Sequence, residues 1–484
     1  MNPTLASLVY ACGIVGLFYL DRDKSIRTSK ALWLPVVYLW IIGSRPISVW
    51  LGMAPPSGTD TQIEGSPIDA TVFAVLLVAA FAVLLFRGPR IIAFLSSSFP
   101  KLVLLYFVFC LVSITWSDYP GPALKKWTKS TLDVAMILIV VTDKQPVAAL
   151  RRLFSRVGFL LLPLSLLFIK YYPSLGRLYG AWDGAQMNVG LTLDKNLLGL
   201  ITFVLSLGAV WRVLALLSRD ETTPDRRRHL LAQGTLLALG AWLLILANSA
   251  TSLVCFLLGA GLMLATKLRF MRRHPAAVHA LVLSVAVTAA LLLLLGGGAG
   301  AAQALGRNET LTGRTDIWAA VIPMASNPLV GAGFESFWIN PSVHRKLWEL
   351  IPGLPLNEAH DGYLEVYLNL GWVGVGLIVL ILIDGYKRAV KAFRREPALG
   401  ALLLAYVLAA MTYNVTEAGF RLMESCWIFF LLAITEASNL TAGIGAGVSP
   451  PVSERVPNLP TRNALASKSH NENYGGNVVR RRAI

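Results

Sequence analysis

Residues 68–86 read Ile68-Asp69-Ala70-Thr71-Val72-Phe73-Ala74-Val75-Leu76-Leu77-Val78-Ala79-Ala80-Phe81-Ala82-Val83-Leu84-Leu85-Phe86, and Arg87 and Arg90 follow at once. A nearly unbroken apolar run of this length approaches the ~20 residues with which an α-helix crosses the hydrocarbon of a bilayer. Comparable runs recur near residues 5–20, 31–51, 101–117, 128–142, 153–171, 196–218, 230–247, 250–266, 277–295, 369–386, 398–415 and 424–439. The pattern predicts an all-α polytopic transmembrane helix bundle of about thirteen spans. Composition agrees: the 484 residues are 55% hydrophobic and 14% charged, and the mean hydropathy of +0.61 lies outside the soluble globular range.

Forty-three basic and 27 acidic residues give a net charge of +16, which in a soluble protein would suggest nucleic acid. Its distribution excludes that partner. Arg22, Lys24, Arg27 and Lys30 follow the first run, Arg87 and Arg90 the third, and Lys144, Arg151 and Arg152 the fifth. Arg219 and Arg226 to Arg228 follow the seventh, Lys267 to Arg273 the ninth, and Lys387 to Arg395 the eleventh. Basic residues in alternate loops are the mark of the cytoplasmic side, so the short N-terminus is expected to face out. Cys12, Cys110, Cys255 and Cys426 sit singly in apolar runs and read as packing residues. The first run lacks a basic leader and a small-residue cleavage site, and reads as a retained span.

The expected divisions are N-terminal helices over 1–170, helices with a smaller outer loop over 171–295, a large outer loop over 296–367, C-terminal helices over 368–440 and a disordered cytoplasmic tail over 441–484. The large loop opens with Gly296-Gly297-Gly298-Ala299-Gly300 and carries helix-like stretches near 316–325 and 341–350. The tail is too poor in apolar residues to fold. Asp21-Arg22-Asp23 reads as a solvated charge cluster at a helix end, and no His or Cys spacing suits a metal, so no metal or other cofactor is expected.

Chemistry concentrates in three outward segments. One holds Arg177 and then Gly190-Leu191-Thr192-Leu193-Asp194-Lys195-Asn196; the second holds Gly313-Arg314-Thr315-Asp316-Ile317-Trp318 and Asn327-Pro328-Leu329-Val330-Gly331-Ala332-Gly333; the third runs from His360-Asp361-Gly362-Tyr363 to Gly371-Trp372-Val373-Gly374. An imidazole titrates near neutral pH, so His360 at a membrane surface is the candidate proton acceptor. His344, His229, His274, His279 and His470 read as incidental. Trp318, Trp338, Trp348 and Trp372 could stack on sugars, though interfacial belts favour Trp as well.

These motifs, in this order, resemble the O-antigen ligase superfamily, which includes lipopolysaccharide ligases, exopolysaccharide and O-antigen polymerases and bacterial protein O-oligosaccharyltransferases. Its signature is a His, a small polar residue, nine residues and Gly-x-x-Gly, matched by His360, Gly371 and Gly374. Asp361 stands where an amide or Ser is more usual. Lys195-Asn196 and Gly313-Arg314 with Trp318 also look like family motifs.

The resemblance implies a glycan donor on undecaprenyl diphosphate and a saccharide hydroxyl as acceptor. The acceptor could be the lipid A core or a growing polysaccharide, at the periplasmic face of the bacterial inner membrane. The residues suit that chemistry. Arg314 and Arg177 are natural bidentate clamps for a diphosphate, with Lys195 as a third charge. His360 would take the hydroxyl proton in a single inverting displacement. Asp361, Asp316, Trp318, Glu335, Glu358, Glu365 and Tyr363 are candidates for holding sugars or orienting His360. Lys125, Lys126 and Lys129 could guide an anionic lipid. A flippase or other transporter is the alternative, and it would place charges at mid-membrane in paired repeats.

Overall fold

The computed structural model describes residues 2–23, 26–53, 65–179, 184–218, 225–268, 279, 280, 282–284, 312–351 and 356–442. Most of the expected span over 277–295, the Gly-rich opening of the large loop and the tail lie outside the described residues.

The fold is a helical bundle. In chain order it comprises α1 (Pro3–Leu20), α2 (Trp33–Ile42), α3 (Pro67–Phe86), α4 (Gly88–Ser97), α5 (Lys101–Ser113), α6 (Pro120–Val141), α7 (Pro146–Tyr171), α8 (Lys195–Leu217), α9 (Arg226–Ala247), α10 (Ala250–Ala265), α11 (Thr312–Val321), α12 (Pro341–Leu350), α13 (Gly362–Arg395), α14 (Pro397–Tyr413) and α15 (Ser425–Ala442). Strands β1 (Arg177–Tyr179) and β2 (Gln186–Asn188) form a two-stranded antiparallel hairpin, with Arg177 opposite Asn188.

Among the described residues, seven helices are long and apolar enough to cross a membrane, or eight if the bent pair α4–α5 is one span. That is fewer than the expected thirteen. Three apolar helices, Lys30–Ile42, Ala250–Ala265 and Pro397–Tyr413, fall below 18 residues, so each needs its neighbours to complete a crossing. In α6 the Lys125, Lys126, Lys129 and Asp133 side chains dilute the apolar run. Between α4 and α5 the chain turns by 97°, at a break ending in Pro100, whose missing N–H ends the ladder.

The interior is built by α7, α8, α14 and α15. Phe154 of α7 stacks on Phe429 of α15 at 5.7 Å and lies 6.0 Å from Tyr406 of α14, whose hydroxyl donates to the Val204 carbonyl of α8 at 2.9 Å. Buried among apolar side chains, that hydroxyl needs the partner it has found. Asp133, fully buried in α6, accepts from the Tyr38 hydroxyl of α2 and from the Met423 N–H, tying the α14–α15 loop to the N-terminal helices.

The basic loops gather at one end. There Arg87 bonds the Ile139 carbonyl at 2.7 Å, Arg152 the Ile26 carbonyl at 2.7 Å and Arg395 the Leu440 carbonyl at 2.6 Å. Ile139 and Leu440 lie in the last turns of α6 and α15, where cations complement orphan carbonyls and the dipole. Asp21 pairs there with His229 at 3.2 Å and with Gln233 at 3.0 Å. Asp21, expected as a solvated charge, is a part-buried structural contact, and His229, expected to be incidental, is its buried partner.

At the opposite end α13 breaks at Gly371, with φ 62° and ψ −166°. Into that break fits the Asn327–Gly333 turn. The Asn327 side chain accepts from the Leu329 and Val330 N–H groups, which folds the turn. Trp372 and Val373 N–H groups then donate to the Pro328 and Leu329 carbonyls at 2.9 and 3.1 Å, while Ala332 and Gly333 N–H groups donate back to Leu368 and Asn369 at 3.1 and 2.8 Å. Two backbones touch with no side-chain layer between. A Cβ on Gly371 would stand 2.2 Å from the Leu329 carbonyl carbon, and one on Gly331 2.3 Å from that of Asn369. Gly371→Ala is therefore expected to lower stability by about 2 kcal/mol or more, from strain plus overlap. Thermal unfolding of the detergent-purified protein measures this; an unchanged midpoint would contradict the interlock.

Candidate active site

Below the interlock the first turn of α13 fixes the residues around His360. Glu365, buried in that turn, accepts from Trp338 Nε1 at 2.8 and 3.0 Å and from the Ala359 N–H at 2.5 Å. Trp318 Nε1 donates to the Ala359 carbonyl at 2.8 Å. The peptide groups flanking Ala359 are thus gripped on both sides, one by an acid and one by an indole. Trp318 and Trp338 are pins rather than members of an interfacial belt; Trp348 and Trp372 are exposed.

His360 itself takes a left-handed backbone, φ 51°, costing roughly 1–2 kcal/mol for a residue with a Cβ. Asp361 then caps α13 by accepting from the Leu364 N–H at 2.8 Å, and the Gly362 N–H donates to the Asn414 carbonyl at 2.8 Å. Asp361 is explained by this capping role. Burial pushes its carboxyl up to about 6, against the backbone donors and Arg314. Tyr363 donates to the Met411 carbonyl at 3.1 Å and packs edge-on against Phe420 at 5.4 Å.

A chain of alternating charges runs through the site. Arg314 Nη2 lies 2.7 Å from Glu417 Oε1, and Glu417 Oε2 lies 3.6 Å from His360 Nδ1. His360 Nδ1 lies 2.8 Å from Glu358 Oε1, and Glu358 Oε2 lies 2.6 Å from Arg421 Nη1. The Nδ1 contacts are at ion-pair distance without hydrogen-bond alignment. No hydrogen bond to His360 Nε2 occurs among the described residues.

Burial opposes the charged imidazole, but Glu358 and Glu417 outweigh it and push His360 up to about 9. Burial likewise opposes the Glu358 charge, yet His360 and Arg421 hold it at about 2. Desolvation lowers Arg421, and the surrounding acids Glu365, Glu335, Glu358 and Glu424 more than reverse that.

Ligating atoms of Glu358, His360 and Glu417 all lie within 4.8 Å of one another. Each carboxylate already faces an arginine, so a cation there would sit between two guanidinium groups. The donor set fits an ion-pair relay better than a metal centre.

The other residues singled out in the sequence are distributed unevenly. Arg177, on β1, donates to the Ile169 carbonyl at 2.8 Å and to Gln186 at 3.4 Å, and makes no ion pair with the His360 group among the described residues. Lys195 opens α8 behind the capping Asp194, whose carboxyl is pushed upward first by desolvation and further by Glu358 and Glu417. Asp316 is exposed on α11. Glu335, at φ 52°, pairs with Lys126 at 3.6 Å. His344 is satisfied by the Trp338 carbonyl at 2.6 Å.

Glu417 and Arg421 escaped the sequence reading. Their signal was present: Glu417 and Arg421 lie in the short gap between the apolar runs 398–415 and 424–439, and Glu424 opens the second run.

Residues 235–379 match the family model described as O-Antigen ligase, an interval holding Arg314, Trp318, Glu358, His360, Gly371 and Gly374. The chain is also similar to the exopolysaccharide production protein ExoQ of Rhizobium meliloti (strain 1021), 28% identical over 297 residues. That similarity covers 60% of this chain and 65% of ExoQ, so the chain spans somewhat under two thirds of that relative.

Removing either carboxylate should release the imidazole. Glu358→Gln and Glu417→Gln are each expected to bring His360 down toward the ordinary value of 6.5, while Asp316→Asn leaves it in place. NMR titration of imidazole-labelled protein reads this directly. A His360 indifferent to both substitutions would contradict the relay.

Proposed function

We propose, from the premise that this chain is a member of the O-antigen ligase and polymerase superfamily, that it transfers a glycan from undecaprenyl diphosphate to a sugar hydroxyl. The observation that carries this reading is the placement of His360: its Nδ1 lies between two carboxylates and its Nε2 has no hydrogen bond among the described residues. A carboxylate at Nδ1 fixes the ring and raises its basicity, leaving Nε2 to accept a proton. The acceptor oxygen would attack the anomeric carbon as its proton passes to His360 and the carbon–oxygen bond to the diphosphate breaks, with inversion.

The leaving diphosphate would be met by arginine. Arg314 spends part of its fork on Glu417, which fixes the guanidinium and leaves further N–H donors for phosphate oxygens. Arg421 is held in the same manner by Glu358. Arg177 and Lys195 would contribute at longer range, Lys195 from the N-terminus of α8, where the helix dipole also favours an anion. The basic end, by the positive-inside rule, would face the cytoplasm and the His360 end the periplasm. The likeness to an exopolysaccharide production protein favours a growing polysaccharide over the lipid A core as acceptor. A transporter fits less well, because the charged relay lies at one end of the bundle rather than at its middle.

Two outcomes test the reading. His360→Ala is expected to cut transfer by roughly 10²–10⁴-fold without unfolding the protein, measured by polysaccharide gel profiles of a deletion strain carrying each variant. Full rescue by His360→Ala would remove the catalytic role. A base must be neutral to act, so kcat/KM should rise with pH and level off near the His360 value of about 9; a rate that falls over that range would make the protonated ring a phosphate clamp instead.

A further inference from the structure

At the basic end, α7, α8, α10 and α14 enclose a pocket of about 330 Å³. Part of its wall is apolar, from Leu214 of α8, Met263 of α10 and Ala401 of α14. The remainder suits an anion. Arg151 of α7 and Lys267, just past the end of α10, bring two cations to it, while the acid on its wall, Glu396, is exposed to solvent. None of these residues belongs to the Arg314–His360–Arg421 relay.

Two further observations point the same way. Trp211 lines the pocket with only 3% of its surface exposed, and its Nε1–H has no hydrogen-bond partner among the described residues. An indole nitrogen donates and does not accept, so the missing partner is an acceptor. Buried donors left unpaired are rare, and one beside a cavity marks where a ligand oxygen belongs. Guanidinium groups hold that ring, Arg151 at 5.8 Å from its centroid and Arg212 at 5.9 Å. The second observation is α14, 17 residues long, whose N-terminus lines the pocket through Pro397 and Ala398 and receives no side-chain cap. The first N–H groups of a helix lack intrahelical acceptors and carry the positive end of its dipole.

We infer that this pocket binds a phosphate ester, its anionic oxygens met by Arg151, Lys267, Trp211 Nε1 and the first turn of α14, and its carbon skeleton laid against Leu214 and Met263. The donors come from separate elements. A phosphate presents oxygens in several directions and so can meet them together, whereas a carboxylate presents its oxygens in one plane. An anionic phospholipid and a soluble organic phosphate share this chemistry, and a pocket at the helix ends is within reach of both. The inference is independent of the transfer reaction proposed above.

Native mass spectrometry of the full chain, delipidated in detergent, provides the test, with phosphatidylglycerol, phosphatidylethanolamine of the same acyl chains and glycerophosphate as probes. Phosphatidylglycerol is expected to be retained in preference to phosphatidylethanolamine. Its displacement by glycerophosphate identifies a soluble ligand, and resistance to displacement identifies a lipid. Trp211→Phe keeps the ring and loses the donor, and should weaken retention roughly tenfold. Arg151→Gln with Lys267→Gln should weaken it further, and Ala398→Phe, which fills the pocket, should abolish it. Lys391→Gln with Arg394→Gln removes the same charge from exposed positions outside the pocket and should leave retention unchanged. A bound ligand should also raise the thermal midpoint of the wild type and not that of Trp211→Phe, which confirms that each variant is folded. Equal retention of phosphatidylethanolamine, or equal loss in the Lys391 and Arg394 variant, would reduce the effect to surface charge and overturn the site. Undiminished retention in Trp211→Phe and Ala398→Phe would overturn it as well.

Discussion

Backbone lies directly on backbone where the Asn327–Gly333 turn enters the break in α13, and the site depends on that contact. Four reciprocal hydrogen bonds close it, and two glycines whose added Cβ atoms would overlap the opposite chain make it possible. Side-chain packing tolerates small shifts by changing rotamers, but two peptide planes in contact have no such freedom. The loop preceding α13 is therefore registered against the helix it leads into. Trp338, Glu365 and His360, which lie between Gly331 and Gly371, inherit that register.

Electrostatics then finishes what the backbone begins. Glu358 and Glu417 each meet an arginine on one side and His360 on the other. A buried carboxylate without a cation would protonate, and a buried guanidinium without an anion would be very costly. Alternation solves both problems and stiffens the imidazole. It also couples the groups, because Glu358 touches both His360 and Arg421.

The sequence was most readable where physics acts locally. Apolar runs marked nearly every helix, and the spacing from His360 to Gly371 and Gly374 marked the segment where Arg314, Glu358, Glu417 and Arg421 gather. That spacing now has a geometric meaning, since Gly371 is the break in α13 and Gly374 packs against Leu370. The thirteen apolar runs and the seven or eight full-length helices differ where helices such as Pro397–Tyr413 fall short of 18 residues and where most of the run 277–295 lies outside the described residues. Glu417 as a partner of His360, and Arg421 as a partner of Glu358, could not be paired from sequence because they come from a loop more than 50 residues downstream. Arg177 read as a phosphate clamp, yet the hairpin uses it for the Ile169 carbonyl. Arginine's five donors serve backbone and phosphate equally well, and sequence alone does not choose between them.

His360 keeps 29% of its side chain open to solvent. A proton acceptor that solvent can reach serves water as readily as a sugar hydroxyl, and water is never scarce at a membrane surface. If His360 performs the chemistry proposed above, discrimination between the two nucleophiles cannot reside in the base itself. It must come from the acceptor, which on binding covers the ring and brings its own hydroxyl to Nε2. Without an acceptor the same geometry would slowly hydrolyse its donor, releasing free glycan and wasting a carrier-bound unit.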